Sequence, residues 1–250
     1  MSNSVTYKQL KAIAKERSLD KYGTLILANI MIFAIQIFIS GITTVSTSGN
    51  IMIFIINQII TLIVNILLGV LVSGKAYLYL NLVYSQTISA SDIFFGLKQQ
   101  PQKAVIIQSL FVLVDFLVSL PASLILFFSR QSSVINVYLS AVIFLILGIV
   151  VDIYISLTYS QAFFLLHDFP DRSAKELLAT SRRLMKGNRL HLLGLYLSFI
   201  PLYLFGVITL FIPLLWVSVY RYATITVFYQ NLISSKANHN ATCDQTSMNT

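Results

Sequence analysis

The sequence predicts an all-α fold: a polytopic transmembrane helix bundle of about six spanning helices in three hairpins, with short cytoplasmic amphipathic helices leading into them. Three observations predict it. Apolar residue types make up 56% of the 250 residues and charged types only 10%, against about 25% charged in a soluble domain. A chain of this size cannot hide so much apolar side chain in one core. The apolar residues also fall into runs long enough to cross a hydrocarbon layer of ~30 Å, which takes ~20 helical residues. Finally, the basic residues gather in the connections on one side of those runs, as cytoplasmic loops do.

The runs are read in order. The first covers about residues 22–45 and the second 51–82, interrupted by Lys75 near its end. The third, 104–128, contains Asp115, and the fourth, 134–166, contains Asp152. Residues 190–212 form the fifth and 213–233 a sixth, less apolar run that contains Arg221. The last two are read as separate crossings joined by a turn at "TLFIP" (Thr209–Pro213), because Pro201 and Pro213 would each remove a backbone hydrogen bond from a single long helix. Five spans result instead if Arg221 keeps the last run at the interface. Residues 1–233 are thus one transmembrane domain, and the polar stretch 234–250 reads as a disordered cytoplasmic tail.

Each hairpin is preceded by a charged segment: "YKQLKAIAKERSLDKYG", "SASDIFFGLKQQPQKA" and "DRSAKELLATSRRLMKGNR". The third is the clearest. Ser173 and Glu176 form a capping box. Ala174, Leu177, Leu178, Ser181, Leu184 and Met185 recur at helical spacing, and Gly187 suits the C-terminal cap. The expectation is a helix over about 174–186 lying in the lipid headgroups with its apolar face down, followed by the fifth span.

Of the 17 basic residues, all but Arg130 and Arg221 fall on the side of the N-terminal segment, the second-to-third and fourth-to-fifth connections, and the tail. The opposite loops are "STSGN" and "SRQSSV". Both termini are therefore expected in the cytoplasm, which requires an even number of spans. The net charge of +8 reads as membrane orientation, and nucleic acid is not an expected partner. The first run is long for the ~7–15-residue apolar core of a cleaved signal. The single cysteine, Cys243, can form no internal disulfide. Asn240-Ala241-Thr242 matches a glycosylation acceptor by chance, given a cytoplasmic tail.

From Asp168 onward, "DFPDRSAKELLATSRRLMKGNR", "LYLSFI", "LW" and "YRYATITVFYQNL" resemble domain-of-unknown-function family 975, bacterial polytopic membrane proteins without an assigned activity. The matching positions include Asp168, Pro170, Lys186, Gly187, Asn188, Trp216, Tyr220, Phe228 and Tyr229. Pro201-Leu202 departs from a Gly-Trp pair that the family favours, Phe211 and Pro213 stand where it favours glycines, and Val219 stands where it favours proline. The resemblance implies an integral protein of a bacterial cytoplasmic membrane and implies no reaction.

The candidate intramembrane site is Asp115, Asp152 and Arg221. A charge at the bilayer centre costs at least ~2.5–3.5 kcal/mol, so Arg221 is expected to pair with Asp115 or Asp152, as a structural pair or as part of a substrate or proton path. Polar stripes accompany them: Asn29, Gln36 and Ser40; Asn57, Thr61, Asn65, Gly69 and Ser73; Gln108, Asp115, Ser119 and Ser123; Asp152, Ser156 and Ser160. These suit hydrogen bonding between helices or a hydrophilic route. Arg182, Arg183, Lys186 and Arg189 are candidate contacts for anionic headgroups of the bilayer, which is an expected partner; a membrane-protein partner or a second copy is left open by the sequence. No metal-ligand spacing, phosphate loop or converging catalytic groups occur, so no cofactor is expected and the chain reads as non-enzymatic. His167-Asp168 reads as structural. The leading expectation is a membrane scaffold or accessory component. The alternative is a small-solute or peptide transporter with a polar intramembrane route.

Overall fold

The structure is a computed structural model that describes the backbone of residues 6–43, 50–129, 135–209 and 211–248. The loops at 44–49 and 130–134, where the basic-poor connections were expected, lie outside the described residues, as do the side chains of Asn240 and Cys243. Twelve α-helices and no strands are found among the described residues: α1 Tyr7–Ser18, α2 Tyr22–Thr43, α3 Ile51–Leu67, α4 Gly69–Val83, α5 Phe95–Lys98, α6 Pro101–Phe128, α7 Ile135–Tyr159, α8 Ala162–Asp168, α9 Ala174–Met185, α10 Arg189–Leu197, α11 Ile200–Ile208 and α12 Pro213–Met248.

Five stretches are long and apolar enough to cross a bilayer: Tyr7–Gly41, Ile51–Val83, Pro101–Phe128, Asn136–Asp168 and Arg189–Ile208. The chain is a multi-pass membrane protein. Two of those stretches run to 33 residues, which at 1.5 Å per residue is ~50 Å, well beyond a ~30 Å hydrocarbon layer. Side-chain exposure accounts for the excess by dividing the molecule in two.

In one zone the large apolar residues point outward. Phe33, Ile37 and Phe38 on α2, Ile55 and Ile59 on α3, Leu117 and Phe128 on α6, the α7 face from Tyr138 to Tyr154, and Leu204, Phe205 and Ile208 on α11 are all exposed. Only a lipid solvent accommodates such a band.

In the other zone, the cap, the same residue types point inward. Twelve of the 15 residues of α4 are buried, from Gly69 to Val83. Around this rod pack α5, α6, α8 and α12, with α1, and Asn29 of α2 bonds to its Tyr79. Leu10 and Ala14 of α1, Ile93, Leu165, Leu177, Leu192 and Phe228 are each at most 2% exposed. All three charged lead-in segments, at α1, α5 and α9, belong to this end.

The lead-in helix α9 forms as its sequence dictates. Ser173 Oγ accepts from the Glu176 amide at 3.3 Å, and Glu176 answers with 3.2 Å to the Ser173 amide. Gly187, at φ +88°, takes the left-handed position after the helix. The expectation of an apolar face laid on lipid is corrected, however. Leu177, Ser181, Leu184 and Met185 are buried against α6, α7 and α8, and Ser181 Oγ donates to the Thr158 carbonyl at 3.2 Å. Protein, not headgroup, covers that face. The same holds for α1, whose Leu10 and Ala14 lie on the side packed against α12.

The fifth run breaks at Ser198-Phe199, so that Pro201 sits in the first turn of α11 rather than inside a helix. The Ser198 carbonyl at the break accepts a hydrogen bond from Lys11 Nζ at 2.9 Å. Pro213 opens α12. Between them Phe211 adopts φ +64°, at a position where the resembling family favours glycine. The α12 backbone stays helical to Met248, through the stretch read from sequence as disordered.

Candidate functional site

The sequence-predicted charges do not converge as expected. Asp115 and Asp152 lie close enough to repel one another, on α6 and α7, which pack along each other. Arg221 joins neither. Its guanidinium carbon lies 5.7 Å from the Tyr196 ring centroid and 5.9 Å from that of Tyr203. Its Nε is buried without a hydrogen-bond partner. Its charged neighbour is another cation, Lys75, whose ammonium sits 4.6 Å over the Tyr222 ring. No ion pair links Arg221 to a carboxylate among the described residues.

Two cations held side by side by aromatic faces are a recognisable arrangement. The negative face of a tyrosine ring attracts a cation by ~0.5–2 kcal/mol, more where water is excluded. Tyr79, Tyr196, Tyr203 and Tyr222 surround the pair, and Asn29 Nδ2 donates to the Tyr79 hydroxyl at 3.0 Å. Lys75 was visible in the sequence as the one interruption of the second run. The tyrosines were not singled out, because their spacing along α10, α11 and α12 is not periodic.

Tyr196 and Tyr222 have a second face. They line a cavity of about 310 Å³ that also meets Gln108, Phe111, Ser156 and Ser160. Gln108 and Phe111 are shared with a neighbouring cavity of about 250 Å³, which reaches Asn65 and Asp115. The two cavities meet along α6 as one groove, whose larger part is mostly apolar, also lined by Val72, Phe163, Phe164 and Ile225, and whose smaller part carries one carboxylate, Asp115. Asp115 is exposed in it. A carboxylate there is tolerated only if the groove holds water or a partner.

Elsewhere the polar stripes serve packing. Ser73 of the α4 stripe meets His167, whose Nε2 donates to the Ser73 carbonyl at 2.8 Å and lies 3.1 Å from its hydroxyl. Gln58 Nε2 reaches Ser123 Oγ at 3.5 Å. The Ser119 and Ser160 hydroxyls return to their own helices. Asp168, read from sequence as a turn former, ends α8 and does more. Its carboxylate accepts from the Tyr229 hydroxyl at 2.5 Å and the Tyr84 hydroxyl at 3.0 Å, tying α8 to α12 and to the end of α4. Arg17 binds the Val83 carbonyl and Gln230 Oε1, the latter at 3.0 Å. His167 and Asp168 are thus structural and share no substrate-facing geometry.

The remaining predicted residues, Arg182, Arg183, Lys186 and Arg189, gather at one place. With Lys175 they border a cavity of about 730 Å³ between α9, the end of α7 and the start of α10. Among the described residues, no three His, Cys, Asp or Glu side chains cluster in a way that could hold a metal ion.

A family model described as "Protein of unknown function (DUF975)" matches residues 1–236, so the likeness extends well before Asp168, across the first spans. No curated protein and no solved structure matches the chain.

Proposed function

Taking as premise that the chain belongs to the DUF975 family of proteins of unknown function, we propose that it is a non-enzymatic scaffold or accessory component of a bacterial cytoplasmic membrane. In this reading α12 is a sixth crossing, and the cap and both termini face the cytoplasm, where the basic connections belong.

The observation that carries it is the filled cap. In the cap, Leu78, Tyr79, Leu82, Leu165, Phe228 and Tyr229 are none of them more than 2% exposed. A carrier needs a site that opens to each side in turn, and the rigid elements that rock about such a site are commonly repeats. Here the end that would have to open is the most densely packed part of the chain, and it is cross-tied by Asp168 and Arg17.

A second reading, a small-solute or peptide transporter, draws on the exposure of Asp115 in the groove. One experiment separates the two. In a Cys243→Ser background, Gln108→Cys and Ser156→Cys are treated with a membrane-impermeant maleimide on intact cells and on inverted vesicles. The scaffold reading expects no labelling from the capped side. Labelling of the same position from both sides would establish alternating access and end it. A reporter fused at Ser48 or Ser132 tests the topology, and a cytoplasmic location for either would rule out six spans.

A further inference from the structure

The basic connection before α10 is a concave site rather than a flat charged face. The cavity of about 730 Å³ is bordered by five cations, Lys175, Arg182, Arg183, Lys186 and Arg189, contributed by α9 and the start of α10. No acidic side chain is among its lining residues. Charged surfaces that serve only solubility mix both signs; this one does not.

Arg189 is positioned within it. Its guanidinium lies 4.9 Å from the Tyr154 ring centroid, and Nη1 donates to the Tyr154 hydroxyl at 2.9 Å. Its Nε is buried and has no hydrogen-bond partner. A guanidinium donor without an acceptor is a cost, and a phosphate oxygen is the acceptor its planar fork suits best.

The surroundings distinguish a lipid from a soluble anion. Tyr154 closes the lipid-facing stretch of α7. One and two turns back on the same face stand Val150 and Ile146, 60% and 56% exposed, and beside Arg189 stands Leu190, 80% exposed. A soluble anion has no use for this apolar strip. A phospholipid presents its phosphate and its chain at that separation in depth.

We propose that the cup binds the phosphodiester of an anionic phospholipid, with an acyl chain lying along Ile146 and Val150. Arg182, Arg183 and Lys186 supply the field, and Arg189, oriented by Tyr154, supplies the directed hydrogen bonds. The packing of α9 onto α6, α7 and α8 makes the cup permanent, since the helix that carries three of the cations is anchored by its buried face. The proposal does not depend on whether the chain is a scaffold or a carrier.

The test uses the purified full-length protein in a neutral detergent, titrated with phosphatidylglycerol and cardiolipin and read by native mass spectrometry. Phosphatidylcholine is the neutral probe and glycerol 1-phosphate the headgroup without chains. The triple variant Arg182→Gln/Arg183→Gln/Lys186→Gln changes three exposed side chains. The comparison variant Lys8→Gln/Lys15→Gln/Lys236→Gln removes the same charge from exposed positions outside the cup. Apparent affinity for phosphatidylglycerol should fall about tenfold or more in the first and stay within about twofold in the second, on the basis of ~1 kcal/mol per cation at an anionic surface. The single change Arg183→Gln should lower it by about fivefold on the same basis, which keeps the test decisive if the triple variant folds poorly. An equal fall in both triple variants would overturn the site in favour of diffuse attraction. Equal binding of phosphatidylcholine would overturn the need for an anion. Displacement of the lipid by an equal concentration of glycerol 1-phosphate would overturn the lipid in favour of a soluble phosphate.

Discussion

Replacing Gly74 by alanine probes the closest backbone approach in the cap. Gly74, in α4, faces the short 3₁₀ turn at Ala90–Phe94. A Cβ added there would fall on the Ile93 carbonyl oxygen, 2.5 Å from the carbonyl carbon and 3.0 Å from the Cα. The partner segment is matched in kind: a Cβ on Gly96 would fall on the Val70 carbonyl oxygen and 2.9 Å from the Gly74 nitrogen. All these are backbone atoms, so no rotamer change relieves them. Overpacking costs ~1–3 kcal/mol where neighbours can shift, and the upper end applies to a fixed backbone. Alanine recovers ~0.5–1 kcal/mol over glycine as a helix residue. The net is a loss of ~2 kcal/mol or more, which for a chain of this length lowers the thermal midpoint by roughly 4–8 °C. Gly23, in α2, is the control, since nothing lies within 4 Å of its added Cβ; Gly23→Ala should be neutral or slightly stabilising. The assay is thermal unfolding of wild type, Gly23→Ala, Gly74→Ala and Gly96→Ala by circular dichroism in one detergent. A midpoint for Gly74→Ala equal to or above that of Gly23→Ala would mean that α4 and the 90–98 segment do not interlock in this way.

Other changes test other ties. Asp168→Asn removes the charged acceptor of two tyrosine hydroxyls and should cost ~2 kcal/mol, since hydrogen bonds to charged groups contribute ~1.5–3 each. Tyr229→Phe in the same background should then add less than it does alone, and simple additivity would refute the link. Ser173→Ala deletes the α9 cap and should cost ~1 kcal/mol, read as faster amide exchange confined to α9. Phe211→Gly relieves a left-handed non-glycine residue and should stabilise by ~1 kcal/mol; a lower thermal midpoint would show that the turn is not strained. Lys75→Met leaves Arg221 without a repelling neighbour and should be neutral or stabilising, because burying two like charges costs more than the contact of the ammonium with the Tyr222 ring returns; a large loss of stability would mean that the aromatic contact dominates.

Much of the local structure was legible because its causes are local. Ser173, Glu176 and Gly187 lie within a few turns of one another and dictate the ends of α9 whatever surrounds it. The fifth run, 190–212, reads as one span, although the missing amide of Pro201 is a local cause for its break at Ser198-Phe199. What α9 packs against was not legible, because an amphipathic face reads the same whether lipid or protein covers it. For the same reason the pairing of Arg221 was misread. A charge in an apolar run calls for compensation, and opposite charges were the obvious candidates, but aromatic faces compensate too, and the four tyrosines near it come from four separate helices.

The apolar runs carry a similar ambiguity of length. Residues 51–83 and 136–168 are continuous in hydropathy, yet their lipid-facing parts end near Leu67 and Tyr154, beyond which the same residue types are buried in protein. Hydropathy measures the wish to leave water and is blind to the solvent that replaces it. The sixth run shows the converse. With Arg221, Thr224, Thr226 and several tyrosines it is the least apolar, and it is not among the five stretches that length and composition alone pick out. Its second half is nevertheless enclosed: Val219 and Ala223 through Tyr229 are all buried. Thr224 and Thr226 return their hydroxyls to the Tyr220 and Tyr222 carbonyls at 2.7 and 3.0 Å, so that these buried polar groups are satisfied within their own helix. Its low hydropathy goes with its contacts to α1, α2, α4 and α11, and in the six-span reading proposed above a count based on apolarity alone passes over it.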